Sequence, residues 1–221
     1  MALDTEVRYL DTSEYDLWDR FVDESPQGSI YSQSYFLEAF CKVSGGKFRI
    51  LAIYKHNELQ GGIGLYYRNS RYGDMIRLHE PLYYNGFVLK HFDSKYPSIN
   101  SSKEAEVIRM ILDELEGGSY ASAELASRFT FDDPRLLLWR GWQVWPRYTY
   151  VVSIQDMNRQ WEKTEQNLRR LISRCEKEGM TLEMSNDADA FYSMNESTYR
   201  RKGERPYISR DQFVSLYDAL S

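Results

Sequence analysis

Two apolar segments joined by only two residues constrain this sequence more than any other feature. Phe48–Lys55 and Glu58–Arg68 have strand-like patterns, and His56-Asn57 separates them. Such a short connection between two strands predicts a tight β-hairpin. Gly61-Gly62 interrupts the second strand, as a bulge or a close approach of another backbone would. An antiparallel pair is therefore predicted at the centre of the fold.

Helix patterns lie on both sides of this hairpin in the sequence. The first helix is predicted to follow a cap at Thr12 or Ser13, and the second to end at Gly45-Gly46. A third helix is predicted to begin at a capping box formed by Ser101 and Glu104. Their apolar residues recur at helical spacing at Tyr15, Trp18 and Val22, at Phe36, Ala39, Phe40 and Val43, and at Ile108, Ile111, Leu112 and Leu115.

Shorter segments complete the first 153 residues. Strands are predicted at Glu6–Leu10, Met75–Leu78, Tyr120–Leu125 and Trp142–Ile154, and a short helix at Pro134–Arg140. Helices placed between strands of a meander pack on the sheet to bury their apolar stripes. This part is therefore predicted to be an α/β (α+β) fold, with a mixed, mainly antiparallel sheet and helices on both faces.

The pattern changes after Asp156, where three helices follow with at most one short strand, Thr181–Met184. Their apolar stripes include Leu168, Leu171, Ile172 and Cys175 in the first, Phe191, Met194 and Thr198 in the second, and Phe213, Leu216, Tyr217 and Leu220 in the third. Stripes of this width require burial. We expect these helices to pack on the preceding part or on each other, or the chain to self-associate.

The composition argues against several classes of protein. A net charge of −5 is not typical of a DNA-binding protein. The start of the sequence, Met1-Ala2-Leu3-Asp4-Thr5-Glu6, does not resemble a signal peptide, and no apolar run approaches the ~18 residues that a membrane helix needs. Cys41 and Cys175 are the only cysteines, so neither a disulfide framework nor a metal site is expected. We expect a cytoplasmic protein.

Five short sequence motifs follow one another along almost the whole chain. They are Ser25-Pro26-Gln27-Gly28-Ser29-Ile30-Tyr31-Ser32-Gln33, Pro81-Leu82-Tyr83-Tyr84-Asn85-Gly86, Arg147-Tyr148-Thr149-Tyr150-Val151-Val152, the segment 169–179, and Arg201-Lys202-Gly203-Glu204-Arg205-Pro206. Together they resemble the Fem-type acyltransferases, the peptidoglycan bridge-forming family of GNAT-like enzymes. The resemblance implies two fused GNAT-like lobes, the first over residues 1–153 and the helical start of the second over 154–221.

The same resemblance implies a transferase reaction. An acyl or aminoacyl group would pass from acyl-CoA or aminoacyl-tRNA, used as a co-substrate and not as a tightly bound cofactor, to a small molecule with an amine, such as a cell-envelope precursor. In this chemistry the amine attacks the donor carbonyl directly, so positioning and oxyanion stabilisation replace a covalent nucleophile. The sequence therefore identifies no catalytic residue.

Two departures from the family pattern bear on the substrates. Related members have a lysine that meets nucleotide phosphates shortly after the first motif, whereas the matching stretch here has Glu38. A carboxylate repels phosphate, which argues against a UDP-linked acceptor. The glycine-rich loop with which GNAT enzymes hold the donor pyrophosphate is also not found. The missing loop favours an alternative, a non-catalytic binding or interaction module built on one GNAT-like lobe.

Six residues are predicted to bind substrate. Arg174 and Lys177 continue a basic helix stripe from Arg170, which can bind phosphate or carboxylate or be a solvated face. Lys202 and Arg205 lie in a loop between helices. Fem-type members have an acceptor-binding arginine directly before a proline, and Arg205-Pro206 matches that pair. A charged surface loop is the alternative. The pair Tyr84 and Asn85 can line a cleft or simply form a turn.

Overall fold

The computed structural model describes residues 5–118 and 120–221, and its contacts divide the chain into two compact units. The larger unit comprises Met1–Val144 and Ala188–Ser221, and the smaller comprises Trp145–Asp187. These units do not follow the division into lobes at residue 153, which stays a prediction. Residues 1–4, which bear on the signal-peptide prediction, lie outside the described residues.

A six-stranded sheet forms the centre of the larger unit. Its strands are β1 (Thr5–Tyr9), β2 (Lys47–Lys55), β3 (Glu58–Ser70), β4 (Gly73–Ile76), β5 (Val88–Leu89) and β6 (Tyr120–Ala123). The order is β1-β2-β3-β4-β6, and β5 pairs with β3. Among the described residues, β4 and β6 are the one parallel pair of neighbours. The predicted mixed, mainly antiparallel sheet is confirmed.

Helices cover both faces of this sheet, as predicted. The larger unit contains α1 (Tyr15–Glu24), α2 (Ser34–Ser44), α3 (Pro97–Gly117), α4 (Arg135–Trp139), α7 (Ala188–Arg201) and α8 (Arg210–Leu220). Successive side chains of a strand point to opposite faces. Thus Leu51 and Ile53 pack in the core that includes α3, whereas Ile50 packs in the core that includes Trp18 of α1.

The central hairpin forms as predicted. His56 and Asn57 have φ values of 53° and 60°, as both residues of a type I′ turn require. Opposite Ile53 and Tyr54 the register of β3 shifts by one residue, and the extra residue is Gln60, directly before the predicted position at Gly61-Gly62. At Gly62 the predicted close approach is also found: a Cβ there would lie 2.3 Å from the Leu51 carbonyl oxygen and 2.8 Å from the ring of Trp18.

Two predicted helix starts are wrong. α3 begins at Pro97, so Ser101 and Glu104 lie inside the helix and form no cap. Proline is favourable in the first turn of a helix because the N–H groups there have no hydrogen-bond partner within the helix. The first helical segment begins with a 3₁₀ turn at Thr12, capped by Asp11, whose backbone N–H donates to a carboxylate oxygen of Glu14 (3.1 Å). A second 3₁₀ turn, Ile30–Ser32, precedes α2.

The smaller unit contains two helices, α5 (Met157–Lys163) and α6 (Gln166–Lys177), of which α5 was not predicted. The strands predicted over Trp142–Ile154 and Thr181–Met184 are absent. A strand is stable only when a neighbour satisfies its backbone hydrogen bonds, and the described residues of this unit contain no strand that could pair with them. Within residues 5–118 and 120–221, no helix has the length and apolar character needed to cross a bilayer.

The apolar stripes of the C-terminal helices differ in burial. In α8, Leu216 is buried with Phe40 of α2, and the side chain of Gln212 donates to the carbonyl oxygen of Val43 (2.8 Å). In α6, Leu168 and Leu171 are 50% and 54% exposed. The prediction that these helices pack on the preceding part therefore holds for α8.

The contact between Trp18 and Gly62 makes a stability prediction. We expect Gly62→Ala to destabilise the larger unit by about 1–3 kcal/mol in urea unfolding, the range typical of an overpacked core. Gly117→Ala is the matched control, since a Cβ at Gly117 meets nothing within 4 Å and the change should be neutral or slightly stabilising. Equal unfolding midpoints for the two variants would contradict the packing described here.

The exposed stripe of α6 makes a second prediction. We expect concentration-dependent self-association in light scattering, and we expect the double variant Leu168→Glu, Leu171→Glu to reduce it. The variant Gln166→Glu, Asn167→Glu adds the same charge to α6 without removing apolar surface, and serves as the control. A chain that remains monomeric at every concentration would show that this stripe does not mediate association.

Candidate functional site

Tyrosines from distant segments form two groups of contacting rings in the larger unit, and we call them together the tyrosine cluster: Tyr31, Tyr83 and Tyr84 in one group, and Tyr199 and Tyr207 in the other. Tyr31 contacts Tyr83 and Tyr84 edge to face, with ring centroids 5.8 Å apart in both pairs. Tyr199 contacts Tyr207 in the same way at 6.4 Å. Edge-to-face contacts of this kind are favourable and fix the orientation of the rings.

Glu80 links the two groups of rings. Its carboxylate accepts a long hydrogen bond from the hydroxyl of Tyr199 (3.4 Å). Burial, with the nearby Glu80 charge, raises the pKa of Tyr83 and that of Tyr199; burial also raises the pKa of Tyr31. These phenols are therefore protonated near neutral pH, and they can donate hydrogen bonds.

Hydrogen bonds of the Asn85 side chain hold the loop that carries Tyr83 and Tyr84. The Asn85 side chain is buried; it donates to the carbonyl oxygen of Glu124 (2.9 Å) and accepts from the backbone N–H of Ala126 (2.8 Å). Both polar atoms of this amide are thus bonded to backbone. Asn85, predicted to bind substrate, is placed where it holds the loop.

Lys202 and Arg205 lie on the loop between α7 and α8. The turn at Gly203, with φ of 74°, ends α7, and a capping box of Ser209 and Gln212 starts α8. Both basic side chains are exposed, and within the described residues neither forms an ion pair. Lys202 follows Tyr199 by three residues and Arg205 precedes Tyr207 by two, so the loop joins the predicted basic residues to the tyrosine cluster.

Arg174 and Lys177 belong to the smaller unit, on a surface we call the α6 basic face: Arg169, Arg170, Arg174 and Lys177. With Trp161, Gln166 and Ser173 they line a shallow, open depression of about 610 Å³. Arg174 pairs with Glu178 (2.7 Å), whereas the other three cations have no ion pair within the described part of the chain. This geometry suits an anionic ligand.

Some of these residues were not predicted from the sequence. Glu80, Tyr199 and Tyr207 carry no local motif that predicts such a cluster, and the one signal available in the sequence is its high count of 18 tyrosines. Glu38, the carboxylate discussed in the sequence analysis, forms an ion pair with Lys42 (3.0 Å). Among the described residues, no group of three or more histidine, cysteine or acidic side chains is placed to hold a metal ion. Burial raises the pKa of Cys41 to about 12, so this thiol is a poor nucleophile.

Comparison with known proteins gives one structural likeness. No family model matches the chain, and no curated protein matches it by sequence. The crystal structure of FemX is similar, with a TM-score of 0.67 and 16% sequence identity over 97% of this chain. The match covers 54% of the FemX chain, so this chain spans about half of that protein's length. The likeness establishes a Fem-like fold.

The α6 basic face makes a testable prediction. We expect inorganic pyrophosphate to bind, and Arg170→Ala with Lys177→Ala to weaken its binding about tenfold, because each lost charge-assisted hydrogen bond costs roughly 1.5–3 kcal/mol before solvent screening reduces it. The double variant Arg159→Ala, Lys163→Ala removes the same charge from exposed positions of α5 outside the depression. Binding is measured by calorimetric titration. If the two double variants bind pyrophosphate equally weakly, the loss reflects net charge, and the α6 basic face is not a specific site.

Proposed function

We propose that this chain is part of a Fem-type transferase that moves an acyl or aminoacyl group from acyl-CoA or aminoacyl-tRNA to an acceptor amine. The observation that supports the proposal is the likeness of 97% of the chain to FemX, in a fold whose five sequence motifs also resemble this family. The cytoplasm is the compartment we propose, since both donors are found there.

The roles we propose follow from charge and position. Arg205 and Lys202 bind an anionic group of the acceptor, and Tyr84, which contacts Tyr31, contributes to binding the same acceptor. Arg174 and Lys177 bind an anionic group of a substrate on the α6 basic face. The acceptor amine attacks the donor carbonyl directly, a reaction in which orientation supplies much of the rate enhancement.

The Glu38–Lys42 ion pair argues against an acceptor that carries a nucleotide diphosphate. A neutralised pair at this position offers no net positive charge to a nucleotide phosphate. We therefore propose an acceptor, such as a cell-envelope precursor, whose anionic group is bound by the α7–α8 loop instead.

A second candidate function is a binding module without catalysis. It is favoured by the lack of a glycine-rich donor loop in the sequence, since phosphate groups of a donor are usually held by such backbone N–H groups. On this alternative the chain would bind an anionic ligand through the same basic residues and would transfer nothing.

Ligand screening tests the proposal. Acyl-CoAs, aminoacyl-tRNA and amine-bearing cell-envelope precursors are screened by thermal shift, because ligand stabilisation follows affinity. Ligands that bind are then combined, and transfer is followed by mass spectrometry of the acceptor. We expect a binding donor and a binding acceptor, with acceptor affinity about tenfold lower in Arg205→Ala, the loss expected for one charge-assisted hydrogen bond.

Arg200→Ala is the control for this variant, since Arg200 is an exposed arginine in the last turn of α7. Both variants should keep the melting temperature of the unmodified chain. Binding of acceptors without transfer from any donor would favour the binding module. Equal affinity of the unmodified chain and Arg205→Ala for every acceptor that binds would remove the role of Arg205.

A further inference from the structure

Glu80 is a half-buried carboxylate without a countercharge. In the part of the chain that the structure describes, no lysine, arginine or histidine forms an ion pair with it. The long hydrogen bond from Tyr199 offers limited compensation. A partly desolvated charge of this kind is costly unless a partner neutralises it, so this position favours a bound cation.

The surrounding rings favour the same ligand. The face of a tyrosine ring is electron-rich and attracts an organic cation within about 6 Å of its centroid. Tyr83 and Tyr207 are 51% and 68% exposed, so ring surface in both groups of the tyrosine cluster is accessible. A carboxylate among several tyrosines is the combination with which proteins recognise ammonium groups.

We propose that Glu80 and the tyrosine cluster bind an organic ammonium group, and that this group is the acceptor amine in its protonated form. The second part rests on the proposed function. A primary alkyl amine has a pKa near that of lysine, about 10.4, so the acceptor is a cation at neutral pH. The site binds and orients this cation before transfer. Because an ammonium nitrogen has no lone pair, it must lose one proton to a base or to water before it attacks the donor carbonyl. The thiol of CoA or the ribose hydroxyl of the tRNA is then the leaving group.

The neighbouring loop extends the description of the ligand. At the end of α7 the Arg201 guanidinium donates to the hydroxyl of Thr198 (3.0 Å), and Lys202 and Arg205 are exposed on the loop that follows. A ligand that places its ammonium at Glu80 and a carboxylate or phosphate at this loop satisfies both charges. The chemical class that fits is therefore a zwitterion-like molecule, with an amine and an anionic group separated by a short chain.

The test uses simple probes on the whole chain. Pentylammonium is titrated into protein with ¹³C-labelled tyrosine rings, and the shifts of the ring resonances are followed by NMR. Pentanol, which has the same carbon chain and no charge, is the probe control. We expect saturable shifts of the Tyr83, Tyr199 and Tyr207 signals with pentylammonium alone. We also expect Glu80→Gln to weaken binding at least tenfold, and Glu24→Gln, at an exposed position in α1, to leave it unchanged.

Three results would overturn the proposal: no saturable shift in the folded chain, equal shifts with pentanol, or unchanged affinity in Glu80→Gln. The measurement needs no donor, so its failure is distinct from failure of the transferase proposal. If pentylammonium binds as expected and transfer is never detected, the ammonium site stands and the transferase proposal fails. If transfer is detected and Glu80→Gln binds pentylammonium normally, the ammonium site fails alone.

Discussion

The packing of Trp18 against Gly62 of β3 is the constraint on which the larger unit depends. The indole is fully buried and its N–H donates to the carbonyl oxygen of Ser32 (2.8 Å), so one side chain ties α1 to the turn before α2. Gly62 makes room for that ring, and the adjacent Gly61 makes room for Val107 of α3, since a Cβ at Gly61 would lie 2.8 Å from its Cγ1. Two consecutive glycines thus let helices approach both faces of one strand closely.

The parts of the fold that depend on local chemistry could be predicted from the sequence. The His56-Asn57 turn and the end of α2 at Gly45 each involve residues within a few positions of each other. The prediction of strands failed where a strand needs a pairing partner that is distant in the sequence. The residues of Trp142–Ile154 have a strand-like pattern, but a pattern supplies no neighbouring strand.

The candidate site shows the same limit more sharply. Its basic loop could be predicted because Arg205 and Lys202 stand in a recognisable motif. The meeting of Tyr31 with Tyr83, and of Glu80 with Tyr199, joins residues that are 52 and 119 positions apart in the chain. The first contact depends on how the larger unit folds, and the second also requires that the C-terminal helices pack on α2, as Leu216 of α8 does. Asn85 shows the converse, because its motif does not predict that both polar atoms of its side chain are hydrogen-bonded to the backbone.

The path of the chain has a further consequence. The larger unit is discontinuous: it is interrupted after Val144 and resumes at Ala188. Its C-terminal part is held by side-chain contacts, including the burial of Leu216 and the hydrogen bond from Gln212 to Val43. A single proteolytic cut within the exposed segment 180–187 would therefore break the chain without removing these contacts. The two fragments of the larger unit should then remain associated, as in a complementation pair, and be separable only under denaturing conditions.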